Sequence, residues 1–310
     1  MNLFKHYYWY FIISAFFLIP GIFSLFRFGL KPAIDFTGGT LLEINFNNIE
    51  NATSSANLVQ QNSDSILVTD KQISQTLKDG EFIVYNVQKT GNNQFALRGK
   101  EINNKIKNQT ISKLKEISGV AQELRFETVG PILGRELISK TIIAIILASF
   151  IIILYLIKQF KDVSFGVCAI LAMVHDVLIL LGLFSILGVL FGVEIDILFV
   201  TAVLTTLAFS VYDTVVIYDR LRELKRKESG TIKELASKAA LQTMVRSLNN
   251  SLTTFFMLLS LFLLGGTTIK WFSLALLVGV ISGTYSSPFT SVPLLLLWED
   301  WKEKKKNVLK

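Results

Sequence analysis

Four ionisable side chains interrupt long apolar runs: His175, Asp176, Asp213 and Arg246. An ionised group in hydrocarbon is costly, so such residues mark proton or ion routes and face a bundle interior or a wet cavity. Asp213 lies about five residues, roughly 7–8 Å, inside the end of its run near Tyr218. The next run must reach back to about Val245 to be long enough to cross a bilayer, which brings Arg246 in at a similar depth. On consecutive antiparallel helices the carboxylate and the guanidinium are placed to pair. Two readings stay open: a static buried ion pair that sets helix register, or a proton-handling pair whose carboxylate changes protonation. Asp176 sits deeper, roughly 20 Å from the start of its run, with His175 as its one evident partner. That pair suits a proton relay, a gate hydrogen bond or metal ligation, and two histidines in the whole chain are too few for most metal sites. Thr206, Ser210 and Asp213 share one helix side, and Arg246, Asn249, Asn250 and Thr253 share another, so both polar faces are expected inside a bundle or cavity.

The elements that must position these residues are membrane spans. Hydrophobic residues make up 51% of the chain, charged residues only 18%, and mean hydropathy is +0.49, a balance that needs lipid as solvent. Runs near 7–27, 137–157, 163–186, 196–218, 245–265 and 271–297 are each long enough to span. Lys5, Lys158 and Lys161, the seven Lys and Arg of 219–244 and the five Lys after Trp298 fall on one side, whereas loops 187–195 and 266–270 carry only Lys270. The positive-inside rule then places both termini in the cytoplasm and sends the segment after the first span outside. The net charge of +7 is spent on orientation, which argues against nucleic-acid binding. The first run is longer than a signal-peptide core and reads as a retained anchor. Cys168 lies within an apolar run and reads as a small buried side chain.

Four parts result: the N-terminus and first span over 1–28, an extracytoplasmic domain over 29–136, a five-span bundle over 137–298 and a basic tail over 299–310. Within the domain, β-rich runs at 40–46, 81–88, 93–99 and 121–129 alternate with helical patterns at 69–79 and 101–118. The order β-α-β-β-α-β predicts a ferredoxin-like α+β sandwich. Residues 47–66 are rich in Asn, Ser and Gln and read as a loop, and the Asn51-Ala52-Thr53 sequon in it as a chance match. Asp35, Phe36, Gly38 and Gly39 read as a hinge or junction between membrane and domain. In the last span Gly279, Gly283, Ser286, Ser287 and Thr290 form a small-residue stripe suited to close helix packing. No phosphate-binding loop, Ser-His-Asp arrangement or metal-protease motif is present, so an enzyme is not expected and energy must come from an ion gradient or a partner.

Four motifs in order carry a family resemblance: Asp35-Phe36-Thr37-Gly38-Gly39-Thr40, His175-Asp176, Tyr212-Asp213-Thr214-Val215-Val216-Ile217-Tyr218-Asp219-Arg220, and Gly283-Thr284-Tyr285-Ser286-Ser287. With them the chain resembles the SecF family of protein-export membrane subunits over nearly its whole length. The resemblance implies half of an RND-type bundle, with SecD supplying the other six helices, in a bacterial plasma (inner) membrane. It implies the SecYEG channel, YajC and the translocating unfolded polypeptide as further partners, and use of a proton gradient, or a sodium gradient, with no cofactor. Asp213 and Arg246 fall on family positions linked to proton coupling. Ala208 and Tyr212 stand where the family has Gly and Asn, and Ser247 and Asn250 where it has Thr. The expected cycle alternates Asp213 between an ionised state paired with Arg246 and a neutral one. The alternatives are a non-conducting scaffold of the SecDF complex and a small-molecule exporter of the shared RND architecture.

Overall fold

The computed structural model describes residues 4, 7–46, 68–78, 80–91, 93–160 and 162–308. The predicted loop 47–66 with its sequon, and the orienting Lys5 and Lys161, lie outside the described residues. The chain divides into two compact units, Pro32–Lys140 and a second made of Met1–Lys31 with Thr141–Lys310.

In the smaller unit the helices are α2 (Ile34–Thr37), α3 (Asp70–Thr76) and α4 (Asn104–Ser118), and the strands β1 (Gly39–Asn45), β2 (Val84–Gly91), β3 (Gln94–Gly99) and β4 (Gln122–Val129). The sheet is antiparallel with strand order β2-β3-β1-β4, the topology predicted for a split βαβ sandwich. Alternation along β1 and β3 sends Leu42, Ile44, Phe95 and Leu97 to one face, where Ile73 and Leu114 of the two helices, with Leu77 just past α3, cover them. Caps fix where those helices begin: Thr69 and Gln72 form a capping box, and the Asn103 side chain accepts from the Ile106 amide. The short α2 was not anticipated, and it explains the two glycines behind it. Gly38 and Gly39 adopt φ values of 73° and 124°, and a Cβ there would stand 2.7 Å from Pro131 Cα and 2.6 Å from the Gly99 carbonyl oxygen. The motif is tightly packed within the smaller unit.

In the larger unit the helices are α1 (Tyr8–Phe28), α5 (Pro131–Gln159, which begins in the smaller unit), α6 (Val163–Phe191), α7 (Ile197–Lys227), α8 (Ile232–Leu264), α9 (Gly266–Ser286) and α10 (Val292–Val308). A π-helical turn, Ser287–Ser291, joins the last two. Among the described residues six helices are long and apolar enough to cross a membrane, counting Ile269–Lys302 as one span. Several outrun the apolar pattern, because α7 and α8 continue as a polar hairpin capped by Thr231 and Glu234. The π turn has a local cause. Pro288 has no N–H to continue the i to i−4 ladder, so the turn widens, and the Ser287 hydroxyl bonds the Gly283 carbonyl at 2.9 Å.

Candidate functional site

Helices α6, α7, α8 and α9 bring the predicted ionisable residues into two separate clusters. Side-chain caps by Asp162 on α6 and Asp196 on α7 fix where those helices start. Glycines on α9 set how closely it approaches α7. A Cβ at Gly279 would meet Thr206 Oγ1 at 2.1 Å, and one at Gly283 would meet Ser210 Cα at 3.3 Å. The small-residue stripe therefore does pack, and it buries Thr206 and Ser210 of the α7 polar face.

The first cluster surrounds Asp176, which is fully buried. Ser282 Oγ donates to its Oδ1 and Ser286 Oγ to its Oδ2, each at 2.6 Å, and His175 Nδ1 stands 3.0 Å from Oδ1. The expectation that Asp176 lacks a partner beyond His175 is therefore corrected, and Ser286 is a hydrogen-bond donor as well as a packing residue. Ser282 and Ser286, four apart on α9, present two hydroxyls on one face, and each reaches a different carboxylate oxygen. That i, i+4 serine pair was the available signal, but nothing in the sequence said which helix it faces. His175 Nε2 is buried without a hydrogen-bond partner among the described residues.

The second cluster surrounds Asp213, which is 6% exposed. Its Oδ1 accepts one hydrogen bond, 3.1 Å long, from Ser247 Oγ of α8. Among the described residues no ion pair within 4.0 Å joins it to Arg246. The two instead line one cavity of about 270 Å³ with Tyr212, Val216, Ser247 and Asn250. Asp213 also borders a void of about 10 Å³ shared with Phe209, Asn250, Ser251, Val280 and Thr284, close to the smallest space that holds a water. The matched depth read from the sequence brings Asp213 and Arg246 to the same cavity, and Ser247 is the residue that bonds the carboxylate. The α8 face does not follow the α7 face inward: Arg246, Asn249, Asn250 and Thr253 are exposed on this chain.

Adjacent residues connect the clusters. Thr214, next to Asp213, lies 3.1 Å through its hydroxyl from that of Ser287, and Ser286 beside it holds Asp176. On the following turn the Tyr218 hydroxyl donates to the Ser291 carbonyl at 2.8 Å, so α7 is tied to both ends of the π turn. Thr290 of the stripe faces α1, 3.3 Å from Ser14. The described residues contain no group of three or more His, Cys, Asp or Glu that would hold a metal ion.

The family model for the C-terminal region of the protein export membrane proteins SecD and SecF matches residues 109–301, and that for the SecD/SecF GG motif matches 23–48. The chain belongs to the SecD/SecF protein-export family. Similar curated relatives include the protein translocase subunit SecF of Thermobaculum terrenum, 43% identical with 94% of this chain and 92% of the relative covered. The SecF of Anaerolinea thermophila is 37% identical over 97% of this chain and 96% of its own length. Among solved structures, SecDF of Thermus thermophilus, described as a translocon-associated membrane protein, superposes with a TM-score of 0.79 at 27% identity. That match covers 97% of this chain but 39% of the SecDF chain. A structure of SecDF in a super-membrane-facing form matches with a TM-score of 0.66. The GG-motif match includes Gly38 and Gly39, and the C-terminal match encloses both carboxylate clusters.

Proposed function

We propose that the chain serves as the SecF half of a SecDF-type complex, paired with SecD beside the SecYEG channel, and uses an ion gradient to promote late export of polypeptides. The six spans, the curated SecF relatives and the SecDF superposition support this reading. The charge distribution supports a plasma-membrane orientation with cytoplasmic termini and an extracytoplasmic Pro32–Lys140 unit. The exposed polar face of α8 supports a second helical partner, because lipid alone leaves Arg246, Asn249 and Asn250 unsolvated.

One observation carries the coupling role: Asp213 is buried, has a single hydroxyl donor among the described residues, and shares a cavity with Arg246. Its ionised form draws Arg246 across the cavity, and its neutral form releases it. Thr214 and Ser287 transmit the resulting shift of α7 to α9. One charge crossing 100 mV is worth about 2.3 kcal/mol, enough to bias two helix arrangements more than tenfold. The test is gradient-dependent export in vesicles holding SecYEG, SecD and this chain as Asp213→Asn or Arg246→Met. Normal assembly with loss of the response to an imposed gradient is expected. Normal assembly with a full response makes the pair architectural, and the scaffold reading replaces this one.

A further inference from the structure

Two chain segments lead into the Pro32–Lys140 unit, α1 and α5, and the larger unit holds them differently. The α1 segment is fastened along its second half. There α1 and α6 touch backbone to backbone, and a Cβ on Gly182 would stand 2.6 Å from Gly21 Cα. Ser185 spends its hydroxyl hydrogen on the Gly29 carbonyl at 2.7 Å, so Ser24 Oγ, 2.9 Å away, is the donor to Ser185 Oγ. The Ile195 amide then donates to the Lys31 carbonyl at 2.8 Å. These ties continue to the last residue before the smaller unit.

The α5 segment is fastened near its last turn. Of the described residues from Thr141 to Tyr155 none is buried, whereas Leu156 and Phe160 lie in the core and Ile152 packs against it. Phe160 meets the Tyr218 ring edge-on with centroids 5.7 Å apart and stacks on Phe165 at 5.8 Å, and Phe165 meets Tyr218 at 5.1 Å. Arg222 of α7 donates to the Gln159 carbonyl at 3.1 Å, one of the acceptors that the end of α5 leaves without an intrahelical partner. The same guanidinium lies 5.7 Å from the centre of the Phe160 ring. Thr214, Tyr218 and Arg222 follow at four-residue steps and share one side of α7, the helix that carries Asp213. A shift of α7 at Asp213 therefore reaches α5 through Tyr218 and Arg222. The α1 segment cannot follow such a shift without parting from α6 and breaking the hydrogen bonds at Ser185 and Lys31.

We propose that Tyr218 and Arg222 are positioning residues that set the end of α5 according to the state of Asp213, and that α5, not α1, is the helix that carries the movement onward. The inference rests on the coupling role of Asp213 and names its output helix. The test uses the full chain with a cysteine-free SecD in nanodiscs. Spin labels are placed at Ile143→Cys on α5 and Leu190→Cys on α6, both exposed positions, in a Cys168→Ala background. Asp213→Asn, which fixes the neutral form, should change the mean label separation by about 2 Å, the scale of helix shifts in switching proteins, as read by double electron–electron resonance. Arg222→Gln should reduce that change, and Phe160→Ala should abolish it. Arg222→Gln alters a partly exposed side chain and keeps the test decisive should Phe160→Ala not fold. An undiminished change in these variants overturns the proposal, because α5 then follows another contact. No change in any background also overturns it, and loss of gradient-driven export in Asp213→Asn then leaves the coupling role of Asp213 standing. Full gradient-driven export by Asp213→Asn is the separate result that removes both.

Discussion

Asp176 and Asp213 are both carboxylates within membrane spans, yet they are held in opposite ways. Asp176 takes a hydroxyl donor on each oxygen and a histidine at its side, and no space is left around it. Asp213 takes one donor, and its remaining acceptor capacity faces a cavity and a water-sized void. A carboxylate enclosed by donors locks its helices together, whereas one with vacant acceptor sites and room beside it can change state without dismantling the bundle. The difference comes from the facing helix: α9 offers Ser282 and Ser286 in register to Asp176, while α8 offers Asp213 only Ser247.

Replacing Asp176 with Ala tests this contrast most severely. The two serine hydroxyls and His175 are then left buried without their acceptor, and thermal or denaturant unfolding in lipid nanodiscs should show a loss of about 3–5 kcal/mol. Asp176→Asn should cost far less, since serine hydroxyls rotate to accept as readily as they donate. Next in size is Gly279→Ala, whose added methyl collides with Thr206 and should cost about 1–3 kcal/mol. Thr206→Ala in the same chain should recover part of that loss, and strict additivity in the double-mutant cycle would show that α7 and α9 are not in contact there.

Asp213→Asn completes the comparison: its unfolding midpoint should move by less than about 1 kcal/mol, because one hydrogen bond is altered beside a cavity, while gradient-driven export is lost. A stability loss as large as that of Asp176→Ala would erase the distinction between the two sites. The smallest effect is expected at Asp162, outside the spans. Partial burial pushes its carboxyl up, but hydrogen bonds from Ser164 and the nearby Lys302 ammonium outweigh this and hold it below its ordinary 3.8. A carboxyl depressed in the folded state contributes stability above its unfolded value and loses it as pH falls through the folded value. Melting curves of the wild-type chain and Asp162→Asn should therefore converge as pH falls below 3.8, and a constant gap would remove Asp162 as the source.

Much of this was legible from residue order. Apolar run lengths and the lysines and arginines between them placed six spans, and the strand and helix periods of 40–129 gave the sandwich with its boundaries shifted by a few residues. The glycines at 279 and 283 were read as packing positions, and they are. What stayed hidden depends on rotation between helices. Depth along a span follows from counting residues, so Asp213 and Arg246 were brought level, but the turn of α8 that presents Ser247 instead of Arg246 leaves no trace in spacing. The serine partners of Asp176 lie more than a hundred residues away and become visible only when α6 and α9 are docked. The α8 polar face was expected in a bundle or a cavity; on this chain it is exposed, with Arg246 and Asn250 lining the cavity beside Asp213.

The π turn at Ser287–Ser291 sets the angular phase of the final span. Each α-helical residue advances about 100° around the axis, so the widened turn offsets everything after it from the serine and glycine stripe before it. Val292, Leu295 and Leu296 are fully buried in the core at their end of the bundle under that offset. Winding the same residues as a regular α-helix would rotate those three side chains by about 100° while Ser282 and Ser286 kept their hold on Asp176. The helix would then satisfy one end of the bundle only by misaligning the other, so the irregular turn allows one continuous helix to serve a hydrogen-bonding face and a hydrophobic face that do not share a side.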